Sequence, residues 1–404
     1  MNLRNYKTIT DRRKALEKEA GVKLSHVGNY SLDSEIVSTR NCENMIGITQ
    51  VPLGIAGPLK MSHQPSAISH QPEGYYIPLA TTEGALVASV NRGCKAITES
   101  GGAVVDSYRV GATRGPVFVV ENISESDKLN VFLEERFSDL KKIAEKTSRH
   151  LILKKYIDRG VGRYRYVRFV FDTKDAMGMN MVTIATNALV AYIQKETGIF
   201  CLSVAGNYDV DKKPSWLNVI EGRGVKVWAE VTISEQTLKE TLKTTAQKVY
   251  NVWLAKCMVG SAMSGSMGFN AQFANVIAAL FLATGQDLGH VGEGSMGVTT
   301  MEVVSHQPSA ISHQTKIAGK DLYVSVYLPD VMVGTVGGGT GLATQKEALE
   351  LLGVAGGNEG KNAQKLAEIV GATVLAGEIS LLSSLEEGTL VRAHERLGRG
   401  NIEL

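Results

Sequence analysis

The sequence is poor in cysteine, in net charge and in long apolar runs. Its four cysteines, Cys42, Cys94, Cys201 and Cys257, show no C-x-x-C spacing, which argues against a disulfide framework or a thiolate zinc site and for a reducing compartment. Lys plus Arg is 43 and Asp plus Glu is 41, a formal net charge of +2. That balance excludes a nucleic-acid coat or a membrane-surface protein, but not a local basic pocket for an anionic ligand. Residues 1–13 carry Arg4, Lys7, Arg12 and Arg13 and no apolar h-region, so no signal peptide is expected. The one long uncharged stretch, residues 257–286, has Ser, Asn, Gln and Gly spread through its first half. Only its last part is densely apolar and too short to span hydrocarbon, so a buried core helix is expected, with no membrane partner and a cytoplasmic location.

What is present is globular usage: 44% apolar and 21% charged residues in 404, enough for two or three domains. The 42 glycines imply several loops where backbone approaches a ligand. Asp11 can cap a helix ending before Gly21, leading a small N-terminal helical segment to about Cys42. A glycine-rich apolar stretch follows, then a helix starting near Glu83. Residues 103–205 interleave strand-like runs with two long helical patterns, 126–146 and 179–196, which reads as a compact α+β insert of split-βαβ type. Helices are then expected at 236–258 and 269–284, a strand pair at 297–304 and 322–328, and three C-terminal helical stretches. The decapeptide SHQPSAISHQ stands unchanged at 62–71 and 305–314. Nothing around the copies is similar, so they read as surface-loop sequence, and His63, His70, His306 and His313 are set aside as ligands.

Six places could carry chemistry. In DAMGMNM, Asp175 to Met181, Gly178 lets a ligand approach the backbone and the helix start offers N–H groups to a phosphate. The alternative is an ordinary helix start with core methionines. DKKP, Asp211 to Pro214, points two lysines in different directions, one of which can face a developing oxyanion; a solvated turn is the other reading. Glu83 and Asp287 each flank an apolar helix, either as dipole or capping contacts or as part of a proton-transfer network with a lysine. GTVGGGTG, Gly334 to Gly341, opens like a dinucleotide fingerprint. Leu342 stands where the third small residue belongs, and no βαβ unit follows, so a different glycine loop is expected. His394 sits in a terminal helix of mixed polarity, as a surface residue or as a lid that delivers a proton.

Ten motifs (ENMIG, PLGIAGPL, TTEGALVASVNRGC, TRGPV, DAMGMNM, GNY-x-x-DKKP, VGSAMSGS, GFNAQFAN, ATGQD and GTVGGGT) stand in one order over residues 12–399. In that order the chain resembles class I hydroxymethylglutaryl-coenzyme A (HMG-CoA) reductase of the soluble archaeal type. The resemblance implies an α+β fold: a small N-terminal helical domain (1–42) and a large mixed α/β domain built around a long buried helix (43–114 and 216–404). A small ferredoxin-like NADP(H) domain (115–203) is inserted, and a connecting loop (204–215) carries the catalytic lysine. The implied activity is four-electron reduction of HMG-CoA to mevalonate and free coenzyme A, a step of isoprenoid synthesis, with two NADPH per turnover and no metal.

By the same resemblance Lys212 stabilises the carbonyl oxyanion, Glu83 donates its proton with Asp287 raising its pKa, and His394 protonates the coenzyme A thiolate. Arg114, Lys213, Lys256 and Asn275 would hold the hydroxymethylglutaryl end, and Ser89, Asn91 and Arg92 coenzyme A. Ser148, Arg149, Asp175, Met177, Gly178, Met179, Asn180, Gly337, Gly338, Gly339 and Arg399 would meet NADPH. The resembling family is dimeric, usually assembled further to a tetramer, with the active site at a subunit interface. Three departures stand out: Ala205 replaces a serine, Gly289 and Gly292 replace larger residues and would loosen their loop, and the decapeptides replace variable loops. The residues alone also admit a Schiff-base lyase centred on Lys212, or a non-catalytic nucleotide-binding homologue.

Overall fold

Along Arg223–Ile233 the residues Val225, Val227, Ala229, Val231 and Ile233 are buried and those between them more exposed, the period-two signature of a strand covered on one face. This strand lies inside a nine-stranded sheet. In the computed structural model, which describes residues 6–20, 28–62, 74–305 and 320–388, eleven strands occur. They are β1 (Leu53–Leu59), β2 (Met61–Ser62), β3 (Tyr75–Ala80), β4 (Ala103–Arg114), β5 (Val117–Val119), β6 (Ile152–Val161), β7 (Tyr164–Asp172), β8 (Phe200–Ser203), β9 (Arg223–Ile233), β10 (Val298–Val304) and β11 (Asp321–Val331). The main order is β10-β11-β9-β4-β7-β5-β8, with β2 on β4 and β6 on β7; β1 and β3 form a separate antiparallel pair.

β4 joins two cores. Its first part pairs antiparallel with β9, and its last three residues, Ala112 to Arg114, pair with β7. Val105 therefore belongs to the large core and Ala112 to a second one around Phe118, Phe169 and Leu189. From β5 to β8 the chain runs strand, two helices, strand, strand, helix, strand, in the sheet order β8-β5-β7-β6 with every neighbouring pair antiparallel. That is split-βαβ connectivity. The first helical pattern divides into Ile123–Glu135 and Phe137–Glu145 because Arg136, at φ −100° and ψ 11°, leaves helical geometry. Near the N-terminus, helices Ile9–Ala20 and Ser34–Arg40 meet through Ile9, Val37 and Met45, against which Leu342 packs. Asp11 lies inside the first of these, in its first turn.

The long buried helix is Lys361–Glu387, and not the uncharged run at 257–286. Glycines divide that run: Gly265, at φ 67°, ends one short helix before Phe273–Thr284 begins. The stretch 236–258 likewise splits into Glu235–Glu240, Ala246–Trp253 and the π-helical Leu254–Gly260. Lys361–Glu387 is long and apolar enough to cross a membrane by length and composition, yet 89% of its apolar window is buried within the chain, as in a core helix. Helix Leu86–Glu99 crosses it at Gly93, where an added Cβ would stand 1.9 Å from the Ala376 carbonyl oxygen. A backbone oxygen cannot swing aside. Gly93→Ala should therefore lose about 1–3 kcal/mol despite alanine's better helix propensity. Denaturant unfolding reads this as a lowered midpoint, and an unchanged or raised midpoint would refute the close crossing.

Candidate active site

The loop between β8 and β9 has no periodicity and holds three non-glycine residues in left-handed conformation: Asn207 (φ 64°), Val210 (φ 49°) and Lys212 (φ 61°). Such backbone, especially at a β-branched residue, persists only where the surroundings impose it. Here they do. The Thr113 hydroxyl donates to the Asp209 carbonyl (3.0 Å), the Asn218 amide to the Val210 carbonyl (3.1 Å), and the Lys212 N–H to Glu293 Oε2 (3.0 Å). Arg114, last in β4, reaches Asp209 at 3.1 Å and donates to the Thr183 hydroxyl at 2.8 Å.

Lys212 Nζ stands 2.7 Å from Asp287 Oδ2. Asp287 caps the short turn after helix Phe273–Thr284, and its Oδ1 accepts the Gly289 N–H at 2.9 Å. Burial acts to raise this carboxyl. The Lys212 and Gly289 hydrogen bonds, with the charges of His290 and Lys212, outweigh that and hold it below the usual carboxylate range. The loop after Asp287 is thus pinned, contrary to the loosening expected from its glycines. A Cβ on Gly289 would stand 2.7 Å from Lys212 Cδ, so the glycine makes room for the lysine stem, whereas one on Gly292 would only touch the Lys212 carbonyl at 3.5 Å.

Beneath the pair lies a fully buried ion pair, Arg223 Nη1 to Glu293 Oε1 at 2.6 Å. Arg223 Nη2 also meets Asp211 Oδ1 at 2.9 Å and the Met179 sulfur at 3.0 Å. His290 Nδ1 is hydrogen-bonded to Glu293 Oε1. Asp211, His290 and Glu293 are close enough together to hold a cation. The Arg223 guanidinium already neutralises both carboxylates, so this donor set reads as an ion-pair network rather than a metal centre.

A groove of about 620 Å³ opens beside Lys212. Met177, Gly178, Met179 and Asn180 line one wall, where helix Met179–Thr197 starts after Gly178 at φ 87°. Gly337, Gly338 and Gly339 line the other, held by Asn41 Nδ2 donating to the Gly338 carbonyl (3.2 Å). Gly285 and Gly339 cross so closely that a Cβ on either would meet the other's carbonyl oxygen within 2.6 Å. The glycine loop leads through a 3₁₀ turn to helix Ala343–Leu351 and not into a βαβ unit.

Glu83 is not at this pair. Its side chain accepts from Asn275 Nδ2 at 3.4 Å, and among the described residues no ion pair joins it to Lys212 within the chain. The reason is the helix Phe273–Thr284: Asn275 stands in its first turn and Asp287 just past its end, and its 12 residues make it about 18 Å long. Asn275 and Lys256 line a second cleft of about 560 Å³, with Lys256 on the π-helical turn. Glu378, buried in Lys361–Glu387, holds this wall by accepting the Ala271 and Gln272 N–H groups (2.8 and 2.7 Å) and the Thr299 hydroxyl (2.7 Å).

Other expected site residues have partners of their own. The Asn91 side-chain Oδ1 accepts the Gly57 N–H, Ser89 donates to Ser380, and Arg92 bonds Ser380 and Ser384. Lys213 Nζ donates to Asn207 at 3.2 Å. Asp175 is buried, accepting the N–H groups of Asn358, Gly360 and Ala363, and so orients the start of Lys361–Glu387. Arg149 Nε meets His150, and Ser148 accepts the His150 N–H; neither lines the groove. His394, Arg399 and the decapeptides beyond Ser62 and Ser305 lie outside the described residues. The sequence reading missed Arg40 and Asn41 at the groove and the buried Arg223, His290 and Glu293. A signal for the last three existed, since charged residues inside a β-like run and straight after an apolar helix need partners.

The sequence matches the family profile described as Hydroxymethylglutaryl-coenzyme A reductase over residues 8–399. The 3-hydroxy-3-methylglutaryl-coenzyme A reductase of Methanothermobacter thermautotrophicus is 49% identical over 391 residues, covering 96% of this chain and 93% of its own. The enzyme of the same name from Methanocaldococcus jannaschii is 50% identical over 394 residues, covering 96% and 92%. A solved class II 3-hydroxy-3-methylglutaryl-CoA reductase from Streptococcus pneumoniae, bound to NADPH in open conformations, matches with a TM-score of 0.67 at 17% identity, over 94% of this chain and 97% of that one. The two therefore share a fold. This protein is an oxidoreductase. Within that class it belongs to the hydroxymethylglutaryl-coenzyme A reductase family.

The lowered Asp287 carboxyl has a stability consequence. Its ionised form stabilises the fold above the ordinary carboxylate range, and that contribution is lost as pH falls through the lowered value. Thermal unfolding of the parent protein should exceed that of Asp287→Asn at pH 7, with the gap narrowing below about pH 4. A gap independent of pH would contradict the ion pair.

Proposed function

We propose that this chain reduces HMG-CoA to mevalonate and free coenzyme A with two NADPH in succession, as a soluble class I enzyme of the mevalonate route to isoprenoids. The observation that carries this reading is an ammonium group fixed by a carboxylate at the lip of a glycine-walled groove. The groove suits a dinucleotide: the first-turn N–H groups of Met179–Thr197 and the Arg40 side chain offer positive potential to phosphates, and the glycine crossing keeps its floor open. NADPH, when bound there, supplies the hydride.

Each reduction places negative charge on the substrate's carbonyl oxygen. Lys212, oriented by Asp287, is pre-set to stabilise it. The Lys212 Nζ is engaged with Asp287, whereas the Schiff-base reading needs a free amine. Arg114, at the end of β4 against the lysine loop, and Lys213, on that loop, supply cations for the free carboxylate of the substrate. Glu83 is the proton donor, His394 protonates the departing thiolate, and Lys256 and Asn275 hold the substrate from the second cleft. Because Glu83 and Lys212 stand at opposite ends of one helix, the complete site is assembled from two copies of the chain, each giving one half, in a dimer or in a tetramer built of two dimers.

Purified protein should consume NADPH only when HMG-CoA is present, and Lys212→Ala should lower turnover by about 10³-fold with substrate binding still measurable. Cofactor binding without turnover would overturn the catalytic reading, and a borohydride-trapped adduct on Lys212 would favour the lyase. The two-copy site has its own test. Glu83→Gln and Lys212→Ala proteins, each inactive, should on co-assembly recover about one quarter of parental activity, since half the dimers then hold one intact site. No recovery on verified mixing would exclude a shared site.

A further inference from the structure

We infer that Glu293 is the common brace of the Lys212–Asp287 pair: one buried carboxylate that fixes the lysine through its backbone and the aspartate through His290. The inference rests on the catalytic reading of Lys212 for its kinetic consequence, but not for its geometry.

Glu293 lies in the short helix Val291–Gly294 with no exposed surface. Its Oε2 accepts the N–H of Lys212 at 3.0 Å, the bond that holds this residue at φ 61°. Its Oε1 accepts from Arg223 Nη1 at 2.6 Å and is hydrogen-bonded to His290 Nδ1. The other ring nitrogen, His290 Nε2, is buried without a hydrogen-bond partner and faces Asp287 Oδ2 at 3.8 Å and Asp211 Oδ1 at 4.0 Å. Asp287 Oδ2 is the same oxygen that receives Lys212 Nζ. A carboxylate three residues from the histidine thus orients the ring and turns its other nitrogen toward the aspartate. Arg223 completes the frame by tying Glu293 to Asp211, the residue before Lys212.

The charged groups around this frame come from six elements, among them Arg114 of β4, 3.8 Å from Asp211 Oδ2, and Arg168 of β7 beside Arg223 and Asp330. Asp211 and Lys212 come from the loop, Arg223 from β9, and Asp287, His290 and Glu293 from the segment after Phe273–Thr284. Asp330 comes from β11. Asp330 is fully buried, and burial followed by the charge of Glu293 pushes its carboxyl well above the ordinary range. Glu293 is therefore a positioning residue in the sense that its effect reaches the substrate only through Lys212 and Asp287.

Two variants test this in the full-length protein. Glu293→Gln places an amide where one carboxylate oxygen met Arg223 or Lys212, and kcat should fall by about 10²-fold with KM for HMG-CoA changed less than about threefold. It also leaves Arg223 buried without its closest counter-ion, so this variant can fail to fold. His290→Gln strands no charge, and its amide can still donate to Glu293. It should lower kcat about tenfold and, by removing a charge that holds Asp287 low, move the acid limb of the kcat profile to higher pH.

A readout independent of turnover is the rate at which trinitrobenzenesulfonate modifies Lys212, followed by peptide mass spectrometry against the exposed Lys195. His290→Gln should speed modification at Lys212 severalfold and leave Lys195 unchanged. Unaltered kcat, pH profile and Lys212 reactivity in a folded His290→Gln protein would overturn the brace. If the parent protein does not reduce HMG-CoA, the proposed function fails while the modification rates still decide the brace.

Discussion

A guanidinium and a carboxylate with no exposed surface, Arg223 and Glu293, meet at 2.6 Å under the lysine loop, and the geometry of the site depends on that contact. Removing two charges from water is expensive and is offset only by close pairing and further hydrogen bonds. Here the additional bonds go to the Lys212 N–H, to Asp211, to Thr113 and to His290. Each ends on a residue that shapes the loop or the ring behind Asp287. The buried pair is thus poor evidence for stability but a strong device for position. It explains how three left-handed non-glycine residues coexist within six positions.

The second constraint is the length of one helix. Phe273–Thr284 is apolar on nearly all sides, as a helix packed between Lys361–Glu387 and β3 must be. Its ends therefore carry the polar chemistry: Asn275 with Glu83 at one end, Asp287 with Lys212 at the other. A rigid spacer of this kind cannot bring both acids to one ammonium group within a chain. It sets the two groups a helix length apart, the separation that the proposed two-chain site would bridge.

Much of this was legible in the residues. The charged ends of apolar helices, the DKKP loop and the GGG wall all pointed to the elements that line the groove, because buried charge and close backbone approach leave marks in sequence. The strand–helix alternation after Gly101 led to the split-βαβ connectivity. What could not be read was distance. Two acids flanking apolar helices look alike in sequence, and only the packing of Phe273–Thr284 separates Glu83 from Asp287. Asp175 shows the same limit: its position before a glycine-rich helix start suits a ligand contact, yet in the fold its oxygens are filled by backbone N–H groups from a segment more than 180 residues away. The long central helix, expected only within three C-terminal helical stretches, runs unbroken through Gly371 and Gly377 although interior glycines lower helix propensity. In the fold Gly371 and Gly377 are where Val227 and Val276 press against the helix, so contact decides what propensity alone would not.

The glycines of GQDLGHVGEGS illustrate how composition and mechanism can pull apart. Read as sequence, Gly289 and Gly292 mean freedom. In the structure the Gly289 N–H is committed to Asp287 Oδ1, and its missing side chain is the space through which the Lys212 stem passes. A larger residue there would press on the lysine stem near its Cδ, the flexible part, while leaving the backbone clamp from Glu293 intact. The lysine is therefore held from below by its peptide N–H and at its tip by Asp287, with its stem passing over Gly289. In the proposed reaction the oxygen that Lys212 would stabilise moves as a planar carbon becomes tetrahedral, and the pinned turn after Asp287 would leave that adjustment to the lysine side chain.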